Sequence, residues 1–161
     1  MPTGPRFLSL LLLAGLLSAP LQARLGETMA DIRQRYDKPA AQTRDNATWL
    51  FEGEDGQLLY TVTFNAKGQS IAEGFKPLKR ARFSKETAMD FIEAQLVPYR
   101  NSKTLRIVAA GGKYRFAGQD FTCAQQEYVV LDEPRGLLLI WSQIVDPAVM
   151  VVAPEMFQRG N

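Results

Sequence analysis

The sequence predicts an α+β domain, with two helices packed on one face of antiparallel sheet. Three observations lead there: apolar residues recur at helical spacing in two segments, the residues after each segment alternate with period two, and the two segments share one pattern. Glu27-Thr28-Met29-Ala30-Asp31-Ile32 runs on to Pro39 and Glu86-Thr87-Ala88-Met89-Asp90-Phe91 to Pro98, both fitting E-T-x-x-D-Φ-x6-P at an offset of 59 residues. Self-similarity at a fixed offset implies two copies of one helical unit. The expected layout is therefore two helix-plus-antiparallel-meander units over 24–83 and 84–157, after a leader over 1–23 and before a frayed tail over 158–161.

The leader reads as a cleavable export signal. Arg6 precedes an apolar run over 7–17, and Ser18-Ala19-Pro20-Leu21-Gln22-Ala23 forms a small-residue exit with the cut expected after Ala23. The run is short of the roughly 20 residues that span a bilayer, and the alternative is an uncleaved signal anchor. No cysteine follows to take a lipid, since Arg24-Leu25-Gly26 stands there. A soluble periplasmic or secreted protein is expected.

In the first helical segment Met29, Ile32 and Tyr36 fall along one stripe while Asp31, Arg33, Gln34 and Arg35 stay wet. Thr28 caps its start, and Asp31 three residues on completes a capping box. The next residues alternate: Trp49 and Phe51, a turn over 53–56, then Leu58, Tyr60, Val62 and Phe64 against Leu59, Thr61 and Thr63. That is a hairpin. Asn65-Ala66-Lys67-Gly68 turns the chain, and a third strand over 71–75 ends at Pro77.

Lys76, Lys79, Arg80, Arg82 and Lys85 make a basic stretch between the units, read as a solvated linker that also suits anionic headgroups or an acidic protein face. In the second helical segment Ala88, Phe91, Ile92 and Leu96 form the stripe, capped by Ser84 or Thr87, and each helix stops near its proline. Strands follow over 105–109, 113–116, 121–131 and 137–143, with turns at Gly111-Gly112, Gly118-Gln119-Asp120 and 132–136. Residues 149–153 form an edge strand or, started by Asp146-Pro147, a short helix. One-sided alternation suits antiparallel strands with helices on the buried face.

The segment Gly26-Glu27-Thr28-Met29-Ala30-Asp31-Ile32 through Tyr36-Asp37-Lys38-Pro39 resembles the G-x-T-x-x-[DEQ]-[VI]-x-x-x-[LY]-G-x-P opening of SmpA/OmlA (BamE-like) envelope proteins. The resemblance covers about fourteen residues and their following strands. It implies a small noncatalytic helix-plus-sheet module that joins a protein complex at the bacterial outer membrane. The chain departs from it by lacking the lipidated cysteine, by carrying Asp37 where the family has glycine, and by having two units. Two units in tandem look more like the β-lactamase-inhibitor-protein architecture, which binds partners across a concave sheet.

Composition narrows the chemistry. Cutting residues 1–23 from the 161-residue chain leaves 138 residues, enough for one compact domain, and removes Arg6 to leave 18 basic against 17 acidic residues. A net charge of about +1 gives no reason to expect a nucleic-acid partner. Cys123 is the single cysteine, so no intramolecular disulfide forms, and it reads as a buried apolar thiol. The chain has no histidine, which removes Ser-His and Cys-His pairs and the usual zinc and copper ligands. Glu52, Glu54 and Asp55 lie together in a turn, where acids are solvated rather than brought from separate elements into a cleft. Asn46-Ala47-Thr48 matches a glycosylation sequon by chance in a bacterial-looking chain.

Trp49, Tyr60, Phe64, Phe75, Tyr114, Phe116, Tyr128 and Trp141 anchor the strands. Most belong in the core, and any on an outward face would make a patch for a protein partner. The expected function is an exported, noncatalytic protein-binding or scaffold domain of the envelope, with no cofactor or metal and with the sheet as binding face. Candidate partner-binding residues are Trp49, Trp141, Lys79, Arg80 and Arg82. The alternatives are a histidine-independent hydrolase, recognisable by a polar pocket with a perturbed acid or low-pKa thiol, and a membrane-tethered scaffold.

Overall fold

Helix α1 (Met29–Tyr36) begins where Thr28 and Asp31 satisfy each other's backbone. The Thr28 hydroxyl accepts from the Asp31 amide at 3.3 Å and the Asp31 carboxylate accepts from the Thr28 amide at 2.9 Å. That reciprocal capping box is the one the spacing predicts. Helix α2 (Lys85–Leu96) is capped by Ser84, whose hydroxyl accepts from the Thr87 amide at 3.0 Å. Helix α2 stops at Leu96, near Pro98 as expected, and a 3-10 turn over Val97–Tyr99 follows with the proline near its start, where the missing N–H is not needed. The computed structural model describes residues 24–53, 56–78, 83–143 and 147–158.

Strands β1 (Ala41–Gln42), β2 (Asn46–Gly53), β3 (Gly56–Phe64) and β4 (Ser70–Pro77) follow α1; β5 (Arg106–Val108), β6 (Lys113–Phe116), β7 (Gln119–Thr122), β8 (Glu127–Asp132), β9 (Leu137–Ser142) and β10 (Ala148–Val152) follow α2. Eight of them form one antiparallel sheet in the order β1-β2-β3-β4-β10-β9-β8-β5, while β6 and β7 form a separate hairpin. Each half thus supplies a helix, an edge strand and a three-strand meander, in the same order. The halves join through β4 and β10, which pair from Val149 opposite Phe75 to Val152 opposite Ala72. Gly74 permits that seam: a Cβ there would lie 3.0 Å from the Val149 carbonyl oxygen and 3.3 Å from Met150 Cβ.

Three expectations need correction. The single strand expected over 121–131 is two, β7 and β8, because the chain turns at Cys123-Ala124-Gln125-Gln126 and leaves the hairpin for the main sheet. The hairpin turn is Ala117-Gly118, with φ +51° and +79°, rather than Gly118-Gln119-Asp120. Residues 148–152 form neither an edge strand nor a helix but a central strand, paired on both sides, with Val149 and Val151 buried on the helix face and Met150 exposed on the other.

Both helices lie on one face of the sheet, the arrangement predicted. The Tyr36 ring from α1 meets Trp49, Phe51 and Tyr60, and Phe91 from α2 meets Phe75 edge-on with ring centroids 5.5 Å apart. Fully buried Phe75 and Phe91 each stabilise this core by about 3 kcal/mol relative to exposure. The opposite face carries a second core, in which Tyr114, Phe116 and Cys123 of the hairpin region and Phe157 cover Val129, Leu131, Leu138 and Val152.

Candidate functional site

Alternation along each strand sends Ala47, Trp49, Tyr60, Val62, Phe75 and Val149 toward the helices. The residues between them face the other way. On that second face, register aligns one row Leu50–Leu59–Lys76 and another Thr48–Thr61–Gly74–Met150–Ile140 across the strands. The core under the β6–β7 hairpin takes in β8, β9, the end of β10 and Ala72 of β4, and no residue of β2 or β3. Leu50 is 47% exposed and Met150 42% exposed, while Leu59, Thr48 and Thr61 are half-buried. The uncovered half is an aliphatic and hydroxyl-lined strip with Lys76 at its margin.

Trp49 and Trp141 are not on it. Both are buried in the helix-side core, so the expectation that they present rings to a partner is corrected: they occupy the same register phase as Tyr60 and Phe75. Trp49 has a structural task, since its indole N–H donates to the Asp37 carbonyl oxygen at 3.2 Å. Lys79, Arg80 and Arg82 lie outside the described residues, as do Glu54 and Asp55, while Lys76, Lys85 and Glu52 are exposed.

The helix-side core contains an acid that is not among the residues expected from sequence. Glu73 on β4 is 1% exposed, flanked across the strands by Val62 on β3 and Val151 on β10. Tyr60 donates its hydroxyl to Glu73 Oε2 at 3.0 Å and Gln95 of α2 donates its amide to the same oxygen at 3.4 Å. Burial pushes the Glu73 carboxyl up to about 7, against hydrogen bonds from Ser70, Tyr60 and Gln95 that pull it down. Nearby, Arg35 of α1 pairs with Glu27 through both guanidinium arms. A signal was present in the sequence: Glu73 stands between Ile71 and Phe75, in the apolar phase of its strand.

Two other buried groups are inert. Burial and the Glu127 charge both raise the Cys123 thiol, which keeps it protonated and a poor nucleophile. Burial pushes the Asp132 carboxyl up, but contacts from Ser102, Thr104 and the Arg135 backbone and charge outweigh it and hold the group below its usual range. The Thr104 hydroxyl donates to it at 2.7 Å, tying the segment before β5 to the end of β8. A groove of about 550 Å³ is lined by Asn65, Ser70, Tyr99, Arg135 and Glu155 among others, and Glu73 is not part of its lining. Among the described residues no group of three or more histidine, cysteine, aspartate and glutamate side chains could hold a metal ion, and no helix is long and apolar enough to cross a membrane. No protein-family model, curated protein or solved structure matches this chain.

Proposed function

We propose that this chain is a noncatalytic protein-binding domain of the cell envelope, exported and released near Ala23, which docks a partner on the open half of its sheet. The observation that carries this reading is the half-covered second face: the hairpin seals one half, and Leu50 and Met150 stand open on the other with Leu59 half-buried between the strands. A flat aliphatic strip with few charges is suited to a protein surface of matching chemistry, an apolar patch, since burial of such side chains drives association. The basic side chains over 76–85 suit an acidic rim on that partner. Release near Ala23 fits the way the Arg24 carbonyl is tied into the fold by the Ser70 hydroxyl at 3.1 Å. Intact-mass measurement of the exported protein tests it, and a mass retaining residues 1–23 would instead support a tethered scaffold.

The docking face is tested by cross-linked capture from envelope extract, comparing the wild-type chain with Leu50→Lys/Met150→Lys. A partner recovered with wild type and lost with the double variant, at unchanged melting temperature, supports the strip as the interface. A partner retained by the double variant excludes it. Sedimentation of the purified chain separates self-association from binding of another protein. The hydrolase alternative draws on the raised Glu73 carboxyl, but that group is sealed between sheet and helices, and a general acid has to reach its substrate.

A further inference from the structure

We propose that Glu73 is a proton-operated latch between the helix layer and the sheet: its neutral carboxyl lets both helices close on the core, and its ionisation loosens them.

Geometry puts Glu73 in that position. It occupies the middle of the sheet, at the β4 seam where the two halves meet, with fully buried valines on both neighbouring strands. Above it stand both helices, α2 contributing the Gln95 amide and α1 contributing Tyr36, whose ring packs edge-on against Tyr60. Among the described residues the two groups that hydrogen-bond its carboxyl, Tyr60 and Gln95, are both neutral and both reach Oε2. Glu73 Oε1 is buried without a hydrogen-bond partner among those residues, as is the Tyr36 hydroxyl. A carboxylate has about four acceptor sites, and leaving one oxygen bare in an apolar core is far costlier for the anion than for the acid.

The charged and titratable groups around it do not supply compensation. From α1 and the turn before it come Arg35 and Glu27, which neutralise each other as a pair, and the Glu27 charge itself raises the Glu73 carboxyl. From β3 comes Tyr60, held well above its ordinary value by burial, and from α1 Tyr36, pushed up to about 12 by burial, so both phenols stay neutral. β10 presents Val151, and the charged residues of α2, Lys85, Glu86, Asp90 and Glu93, are all exposed.

The sign follows from linkage. The carboxyl rises from its ordinary 4.5 in the unfolded chain to about 7 in the fold, so the folded state holds the proton where the unfolded state has lost it. Its contribution is complete below about 4.5 and is lost as pH rises through about 7. The folded-over-unfolded ratio falls by roughly two to three orders of magnitude across that window, because each step of one in pH between the two values changes the ratio tenfold.

Carbon-13 labelling of the glutamate carboxyls, followed by NMR from pH 4 to 9, reads the group directly. The Glu73 resonance is expected to titrate with a midpoint near 7. A midpoint at the ordinary carboxylate value overturns the proposal. Urea unfolding of wild type and Glu73→Gln between pH 5 and 8 reads the consequence: wild type loses stability with rising pH, Glu73→Gln loses far less, and parallel profiles overturn the latch. Hydrogen exchange, corrected for the intrinsic pH dependence, is expected to show α1 and α2 opening more at pH 8 than at pH 5.5 in wild type while β8 and β9 change little. Equal protection of the helices at both pH values overturns it, even if Glu73→Gln fails to fold. Tyr60→Phe removes a hydrogen bond that favours the anion, so the Glu73 midpoint moves further up; an unmoved or lowered midpoint contradicts the assigned contact.

Discussion

Asp37 carries φ +58° and ψ −153°, a backbone region that side chains with a Cβ rarely adopt. It stays there because both of its peptide groups are held: its amide donates to the Arg33 carbonyl at 3.0 Å and its carbonyl accepts the Trp49 indole at 3.2 Å. Strain of this kind costs on the order of 1–3 kcal/mol, and Asp37→Gly relieves it while adding some freedom to the unfolded chain. The expected net result is a gain of about 1 kcal/mol in urea unfolding at constant m-value, by the same balance. Unchanged or reduced stability would show that the Asp37 side chain has a compensating role. Glu73 is the opposite case, a residue whose side chain rather than backbone stores the cost.

At the scale of elements, local chemistry and tertiary cover divide the work differently in each piece. Helix α1 has only eight residues, too few to persist alone, so its capping box and its packing through Ile32 and Tyr36 act together. Thr28→Ala removes the hydroxyl that accepts from Asp31 and is expected to cost about 1 kcal/mol by thermal or urea unfolding. A change below a few tenths would mean that the packed face alone holds the helix. The β6–β7 hairpin turns through two residues with positive φ, Ala117 and Gly118, the geometry that matches strand twist. Gly118 was legible as a turn residue; Ala117, which has no such preference, was not.

At the scale of the molecule, the β4–β10 seam makes one continuous sheet of two halves. Val149 and Val151 at the seam are fully buried, and α2 packs over it, so neither half can open without exposing core from the other. One cooperative transition is therefore expected. The two tryptophans report separately, Trp49 from β2 and Trp141 from β9, so Trp49→Phe and Trp141→Phe each leave a single fluorescent probe in one half. Within each variant, that fluorescence transition and the circular-dichroism transition of the whole chain are expected to coincide. A fluorescence midpoint separated from the whole-chain midpoint would mean that the halves unfold as independent units.

Local sequence was enough to specify the α+β class, both helices with their caps, and the strands whose alternation or turn residues are local. Those features depend on neighbours within a few positions: Thr28 reaches Asp31, Ser84 reaches Thr87, and Tyr60 alternates with Leu59. Contacts between distant segments settled what local pattern leaves open. They made 148–152 a central strand, joined the halves into one sheet, split 121–131 and sent the hairpin to the second face, because strand pairing joins residues far apart in the chain. They also moved the candidate site. Trp49 and Trp141 look like binding residues by type but lie in the buried phase, whereas Leu50 and Met150, ordinary by type, stand exposed where no described element covers the sheet. Which face of a strand meets water is set by what packs across it, and that is a property of the assembled molecule.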